Sequence, residues 1–74
     1  MTPFGTYLES LRRSRRLQQK QIADLMGINP CYVSTLEHGR KGPPSTAVLK
    51  RLINNLNLSR EEQERLWHSV ELSE

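Results

Sequence analysis

The sequence predicts an all-α fold, a small bundle of five helices. Apolar residues recur every three or four positions along most of the chain, which places them on one face of a helix. No segment alternates apolar and polar residues as a half-buried strand does. Because 74 residues leave room for only one core, we expect a single domain spanning residues 1–74.

The first two helices have clear boundaries. The first is predicted to begin at Thr2 and Pro3, because threonine is a good N-cap and proline is tolerated in the first turn. The second is predicted to end at Gly27, since glycine adopts the left-handed conformation at no steric cost. Their apolar faces are formed by Phe4, Tyr7, Leu8 and Leu11 in the first helix and by Ile22, Leu25 and Met26 in the second.

The third helix is short and has two distinct sides. Asn29 is a good N-cap, Pro30 fits the first turn, and Gly39 is expected to end the helix. At about 100° per residue, the inner side is formed by Val33, Leu36 and the stem of Glu37. The outer side carries small or polar residues, namely Cys31, Ser34, Thr35 and His38, with Tyr32 on its flank.

Two further helices follow the loop "RKGPPS". Ser45 is the expected N-cap of the fourth helix, and Ser59 with Glu62 forms a capping box that begins an acidic C-terminal helix over about residues 60–70. The fourth helix has an apolar face of Val48, Leu49, Leu52, Ile53 and Leu56. The fifth has Leu66, Trp67 and Val70, which are expected either to pack on the first helix or to form a dimer contact.

The chain has a net charge of +3, and its charged residues are unevenly distributed along the sequence. Residues 1–55 hold nine Lys and Arg against three Asp and Glu, whereas residues 56–74 hold two against five. A basic body with an acidic C-terminal part favours a polyanionic partner such as nucleic acid. A plain solvated charged surface explains the same composition, so charge alone leaves both interpretations open.

The sequence contains no constellation for catalysis, a metal ion or a cofactor. Its single cysteine, Cys31, excludes an internal disulfide, and one cysteine with two histidines is too few for a zinc site. Cys31 and His38 are separated by roughly 10 Å along the third helix, too far for a nucleophile–base pair. No apolar run is long enough to span a membrane, and we expect a cytoplasmic protein that is not an enzyme.

The second and third helices together predict a helix-turn-helix over about residues 18–38. Both helices are short, and their connection "GIN" is tight. Ala23 lies where the two helices must approach each other, and its small side chain permits a steep crossing angle. In this motif the later of the two helices, here the third helix of the chain, is held outward so that its exposed side can enter a DNA major groove.

The stretch "LQQKQIADLMGINPCYVSTLEHGRKGPPS" resembles the helix-turn-helix of the Cro and phage-repressor (XRE-type) transcriptional regulators. The similarity extends upstream to "YLESLRRSR" and downstream to "PPSTAVLKRLINNL", covering about residues 4–58. It departs from the family at Gln18, a poor N-cap where the family usually has Ser, Thr or Asn. The matching positions, in register and without a gap, are Leu17, Gln19, Ile22, Ala23, Gly27, Val33, Leu36, Glu37, Gly39 and Arg40.

This resemblance implies roles for individual residues. Arg12 and Glu37 fall where the family often forms a partly buried ion pair that orients the third helix. Base contacts are expected from Pro30, Cys31 and Thr35, to which the exposed side of the helix adds Tyr32 and Ser34. Phosphate contacts are expected from Gln19, Asn29, His38, Arg40 and Lys41.

These features predict a sequence-specific regulator that binds double-stranded DNA, a repressor acting as a homodimer on a two-fold operator. Small members of the family include Cro-like repressors, controllers of restriction–modification genes and antitoxins, and the last of these would add a toxin as a protein partner. The alternative from another class is a protein-interaction module that uses the same helical fold.

Overall fold

The structure, a computed structural model, describes residues 2–73, which form five helices and no strand. The helices are α1 (Pro3–Ser14), α2 (Gln19–Met26), α3 (Pro30–Glu37), α4 (Thr46–Leu56) and α5 (Arg60–Leu72). The predicted all-α, five-helix fold is therefore confirmed. None of these helices is both long enough and apolar enough to cross a membrane. Met1 and Glu74, the two ends of the predicted domain, lie outside the described residues.

Polar residues mark the start of each helix. The N-caps of α1, α3, α4 and α5 are the predicted residues Thr2, Asn29, Ser45 and Ser59, and each accepts a backbone N–H from the first turn. At α5 the bonds are reciprocal, because Glu62 Oε1 also accepts the backbone N–H of Ser59 at 3.0 Å. At α2 the side chain of Gln21 accepts the backbone N–H of Gln18 at 2.7 Å.

Left-handed residues end two of the helices. Gly27 has a φ of 71° at the end of α2, where glycine meets no steric penalty. Asn57 has a φ of 51° at the end of α4, and asparagine is one of the few other residues that tolerates this conformation. Both positions reverse the chain within three residues of the next helix.

The core lies where α1 and α2 meet the other helices. α1 packs against α3 and α5, and α2 packs against α3 and α4. The predicted apolar faces supply this core, although six of their residues remain half-buried, namely Tyr7, Leu25, Val48, Ile53, Leu56 and Trp67. Its buried members are Phe4, Leu8, Leu11, Ile22, Ala23, Met26, Val33, Leu36, Leu49, Leu52, Leu58, Leu66 and Val70.

α5 is attached to α1 by apolar and polar contacts. Leu66 and Val70 are buried in the core that α5 shares with α1, which favours packing over a dimer contact for these two residues. The guanidinium of Arg15 donates two hydrogen bonds of 3.0 Å to the carboxylate of Glu62. The Tyr7 hydroxyl donates to the backbone oxygen of the same Glu62 at 3.1 Å.

The contact with Arg15 makes the attachment of α5 sensitive to acid. Its hydrogen bonds, followed by the backbone N–H of Ser59, lower the pKa of Glu62 from its ordinary value of 4.5 to about 2. A carboxylate whose pKa is depressed in the folded state stabilises the protein above its unfolded pKa. The contribution of Glu62 is therefore present above pH 4.5 and is lost as the pH falls towards 2.

α1 and α3 approach each other most closely at Gly5. This glycine is buried, and a Cβ atom built on it would collide with the backbone oxygen of Leu36 and lie 3.0 Å from that of Glu37. Both oxygens belong to the last turn of α3. The absence of a side chain at Gly5 therefore sets how closely α3 lies on the body of the protein.

Replacing Gly5 by alanine is expected to lower the free energy of unfolding by about 1–3 kcal/mol, because the methyl group would push α1 away from the end of α3. In an unconstrained helix the same substitution would stabilise by about 1 kcal/mol, so the sign of the change is diagnostic. Urea unfolding measures it. The matched control is Gly42→Ala, since nothing lies within 4 Å of a Cβ there. Equal effects of the two substitutions would show that the α1–α3 contact accommodates a side chain.

Candidate nucleic-acid interface

The inner side of α3 packs into the hydrophobic core. Val33 and Leu36 are completely buried, as the period of the helix predicts. A backbone hydrogen bond stabilises the turn between α2 and α3, because the N–H of Ile28 donates to the backbone oxygen of Ala23 at 3.0 Å. Since its inner side is fixed in the core, α3 presents its other side to the surroundings.

The outer face of α3 consists of Pro30, Cys31, Ser34, Thr35 and His38. Pro30, Cys31 and His38 are exposed, while Ser34 and Thr35 are half-buried. No side chain of this face is long, so the base edges on the floor of a DNA groove could approach the helix backbone closely. Four of the five predicted base-contacting residues thus share one surface with the predicted phosphate contact His38.

Two hydrogen bonds within α3 fix the polar groups of the outer face. The Thr35 hydroxyl donates to the backbone oxygen of Cys31 at 3.0 Å. Its oxygen therefore remains available as an acceptor, next to its methyl group. His38 Nδ1 lies 2.7 Å from the backbone oxygen of Ser34, and because a carbonyl only accepts, Nδ1 carries the proton. Nε2 is then the imidazole atom left for an external partner.

Tyr32, the fifth predicted base-contacting residue, lies to one side of the outer face. It is half-buried and packs against the core. The ammonium group of Lys41 lies 5.6 Å from the centre of the Tyr32 ring, within the range of a cation–π contact. The predicted phosphate contacts Arg40 and Lys41 are exposed and follow α3 after His38 and Gly39, so they lie near the end of its outer face.

An ion pair between Arg12 and Glu37 joins α1 to the end of α3. Arg12 Nε donates to Glu37 Oε2 at 2.7 Å, and Nη2 donates to Oε1 at 3.1 Å. The Glu37 side chain is 1% exposed and that of Arg12 is 14% exposed, so the pair is shielded from water. The hydrogen bond to Glu37 raises the pKa of Arg12 further. Arg12 also donates to the backbone oxygen of Leu17 at 3.0 Å, which fixes the chain just before α2.

Gln19 completes the polar cluster around Glu37. Its side-chain Nε2 donates to Glu37 Oε1 at 3.1 Å, so one amide hydrogen that the resemblance assigns to a phosphate is used inside the protein. The second amide hydrogen stays available, and Gln19 begins α2, where backbone N–H groups lack intrahelical partners. The Asn29 side chain is also only partly used inside the protein. Its Oδ1 caps α3 by accepting the Cys31 backbone N–H at 2.7 Å, and its NH₂ group remains available as a donor.

α4 contacts the C-terminal end of α2, a feature that nothing in the sequence indicates. Arg51 Nη1 lies 2.6 Å from the position that a Cβ on Gly27 would occupy. Asn55 Nδ2 donates to the backbone oxygen of Leu25 at 2.7 Å. Both contacts depend on where α4 packs, which local periodicity does not reveal.

The part of the chain that the structure describes holds no group of three His, Cys, Asp or Glu close enough to bind a metal ion. Cys31 is a free, exposed thiol.

The chain matches a family and several curated proteins. Residues 3–66 match the model of a family described as a helix-turn-helix domain. In Bacillus subtilis strain 168, the uncharacterized HTH-type transcriptional regulator RghRB is 42% identical over 52 residues, covering 70% of this chain and 37% of the relative. The HTH-type transcriptional repressor RghR is 34% identical over 58 residues, covering 78% and 43%.

A phage protein adds a third similarity. The ImmF control region 10 kDa protein of Bacillus phage phi105 is 33% identical over 55 residues, covering 74% of this chain and 60% of the relative. The chain thus spans less than two thirds of the length of each of these relatives. No solved structure matches it significantly.

The chain belongs to the helix-turn-helix domain family, whose model covers most of its length. The predicted membership among XRE-type transcriptional regulators is confirmed. This is a family of DNA-binding transcriptional regulators.

Substituting Arg12 by alanine is expected to lower the free energy of unfolding by about 3 kcal/mol or more, because the buried Glu37 carboxylate would lose its charge partner. Chemical denaturation with guanidinium chloride checks this value. The control is Arg60→Ala, which breaks a pair with Glu64 whose side chains are 95% and 72% exposed and should cost less than about 1 kcal/mol. Similar losses from the two variants would contradict a special role for the buried pair.

Proposed function

We propose that this chain binds double-stranded DNA in a sequence-specific manner as part of a transcriptional repressor. It acts as a homodimer on a two-fold operator, with half-sites about one helical turn, or roughly 34 Å, apart. α3 enters the major groove, and we place the protein in the cytoplasm with its DNA target. The relative named as an HTH-type transcriptional repressor supports a repressing role.

The observation that carries the proposal is the contrast between the two sides of α3. Its inner side is locked by Val33, Leu36 and the Arg12–Glu37 pair. Its outer face carries only short side chains and one imidazole. A helix that is rigidly held yet presents small polar groups suits contact with base edges, since the backbone can approach the groove floor.

The charges around α3 support a polyanionic ligand. Glu37 is the only acidic residue of α3, and it is buried against Arg12 instead of facing outward. The outer face is therefore free of carboxylates, which would repel phosphate. Arg40 and Lys41 follow α3 after two residues and are exposed, which supports a role for them in contacting DNA phosphates beside the groove.

Thr35 has the chemistry of a base-contacting residue with a limited choice of partners. Because its hydroxyl hydrogen is donated to Cys31 O, the oxygen can accept from an adenine N6 or cytosine N4 amino group. Its methyl group can contact the methyl of a thymine. Ser34 and Cys31 are small enough to lie beside the same bases.

Selection from a random pool of duplex DNA, followed by a salt titration on the enriched sequence, tests the proposal. We expect enrichment of a two-fold sequence, with log K falling against log salt concentration by about 0.9 per phosphate neutralised. The complex should weaken steeply with salt because its phosphate contacts release counterions. A pool that stays random, with binding insensitive to salt, would overturn the proposal in favour of a protein-interaction module.

Substitutions at Thr35 and Arg40 separate base contacts from phosphate contacts. Thr35→Ala should weaken binding to the selected site by about 1–3 kcal/mol and binding to random DNA by much less. Arg40→Ala should weaken both about equally and reduce the salt slope by about 1. Thr35→Val, which keeps a methyl group, and Thr35→Ser, which keeps the hydroxyl, identify the group involved. Fluorescence anisotropy measures the affinities, and equal losses from Thr35→Ala on both DNAs would remove Thr35 from base recognition.

A further inference from the structure

Tyr32 lies on the flank of α3, between the buried side of the helix and its outer face. At about 100° per residue, it is about 40° around the helix from the buried Leu36 and about 100° from Cys31 on the outer face. Its ring is half-buried and packs against the core. The direction of Tyr32 therefore differs from the direction in which the outer face would meet base edges.

The chain that follows α3 turns back and brings Lys41 against the Tyr32 ring. Gly39 has a φ of 73°, and the N–H of Arg40 donates to the backbone oxygen of Thr35 at 3.1 Å, which ends the helix with a left-handed turn. After this turn the Lys41 ammonium lies 5.6 Å from the centre of the Tyr32 ring, although Tyr32 belongs to the first turn of α3. The positive charge of Lys41 is thus held beside α3.

Lys41 keeps the capacity to bind an anion in this position. It is exposed, and none of the ion pairs formed within residues 2–73 includes it. An ammonium group carries three hydrogens, so contact with one ring face leaves a donor for a phosphate oxygen on another side. A lysine side chain is flexible, and ordering it on binding costs free energy. The contact with Tyr32 orders Lys41 before DNA arrives, which lowers that cost.

We propose that Tyr32 is a positioning residue, whose ring holds the Lys41 ammonium at the edge of the outer face for contact with a DNA phosphate. This inference rests on the proposed function and gives Tyr32 a role that does not depend on the base sequence, because phosphate contacts carry no sequence information. A tyrosine that recognised a base edge by hydrogen bonding would use its hydroxyl, whereas a cation–π contact uses the ring. The two roles therefore depend on different atoms of the same side chain.

The placement of Lys41 can be measured in the full 74-residue chain without DNA. Protons on the Lys41 Cε atom that lie over an aromatic ring give NMR signals shifted upfield by the ring current. We expect this shift in the unaltered protein and in Tyr32→Phe, which keeps the ring. We expect its loss in Tyr32→Leu, which removes the ring.

DNA binding separates the two roles of Tyr32. Tyr32→Leu should weaken binding to the selected site and to random DNA equally, by roughly two- to tenfold, the cost of ordering one long side chain. Tyr32→Phe should bind both DNAs like the unaltered protein, because only the hydroxyl is lost. Lys41→Ala should reduce the slope of log K against log salt concentration by about 0.9, as the loss of one phosphate contact requires. Fluorescence anisotropy measures these affinities.

A double-mutant cycle distinguishes positioning from a purely structural effect. In the Lys41→Ala background, Tyr32→Leu should have no further effect on DNA affinity, because the side chain that the ring holds is gone. The control background is Lys50→Ala, which removes the same kind of charge from α4 and should leave the effect of Tyr32→Leu at full size. Because Tyr32 also packs against the core, thermal melting verifies that each variant is folded.

The inference is overturned if the Lys41 signals show no ring-current shift, or if the losses from Tyr32→Leu and Lys41→Ala simply add. A loss in Tyr32→Phe that is confined to the selected site would overturn it in favour of a base contact through the hydroxyl. The proposed function is tested separately, by selection and salt titration with the unaltered chain. A two-fold sequence bound with steep salt dependence, but without coupling between Tyr32 and Lys41, would remove only this inference.

Discussion

The bidentate pair between Arg12 and Glu37 is the interaction on which the candidate interface depends. A carboxylate that is 1% exposed is tolerated only when its charge is compensated and its oxygens accept hydrogen bonds. Arg12 and Gln19 provide both, from α1 and from the first turn of α2. The cluster of Arg12, Glu37 and Gln19 therefore connects α1, α3 and α2 at one point. It also removes the only negative charge of α3 from the surface that would face DNA phosphates.

The rest of the structure reinforces this placement of α3. Gly5 lets α1 approach the last turn of α3, and Arg51 and Asn55 of α4 lie against the C-terminal end of α2, which leads into α3. An element braced from several sides has few alternative positions, so the outer face keeps its geometry before any ligand arrives. Such preorganisation lowers the entropy lost on binding, which matters for a face that offers only short polar side chains.

Much of the fold could be predicted because its signals are local. Thr2, Asn29, Ser45 and Ser59 are caps that act within one turn, and the apolar stripes follow from the helical period. The pairing of Arg12 with Glu37 is predicted only through the family resemblance, because the two residues lie in different helices and no local pattern relates them. Contacts of Gly5, Arg51 and Lys41 were not predictable, because each depends on how separate helices pack. The same holds for Gln19, whose amide is partly used by Glu37.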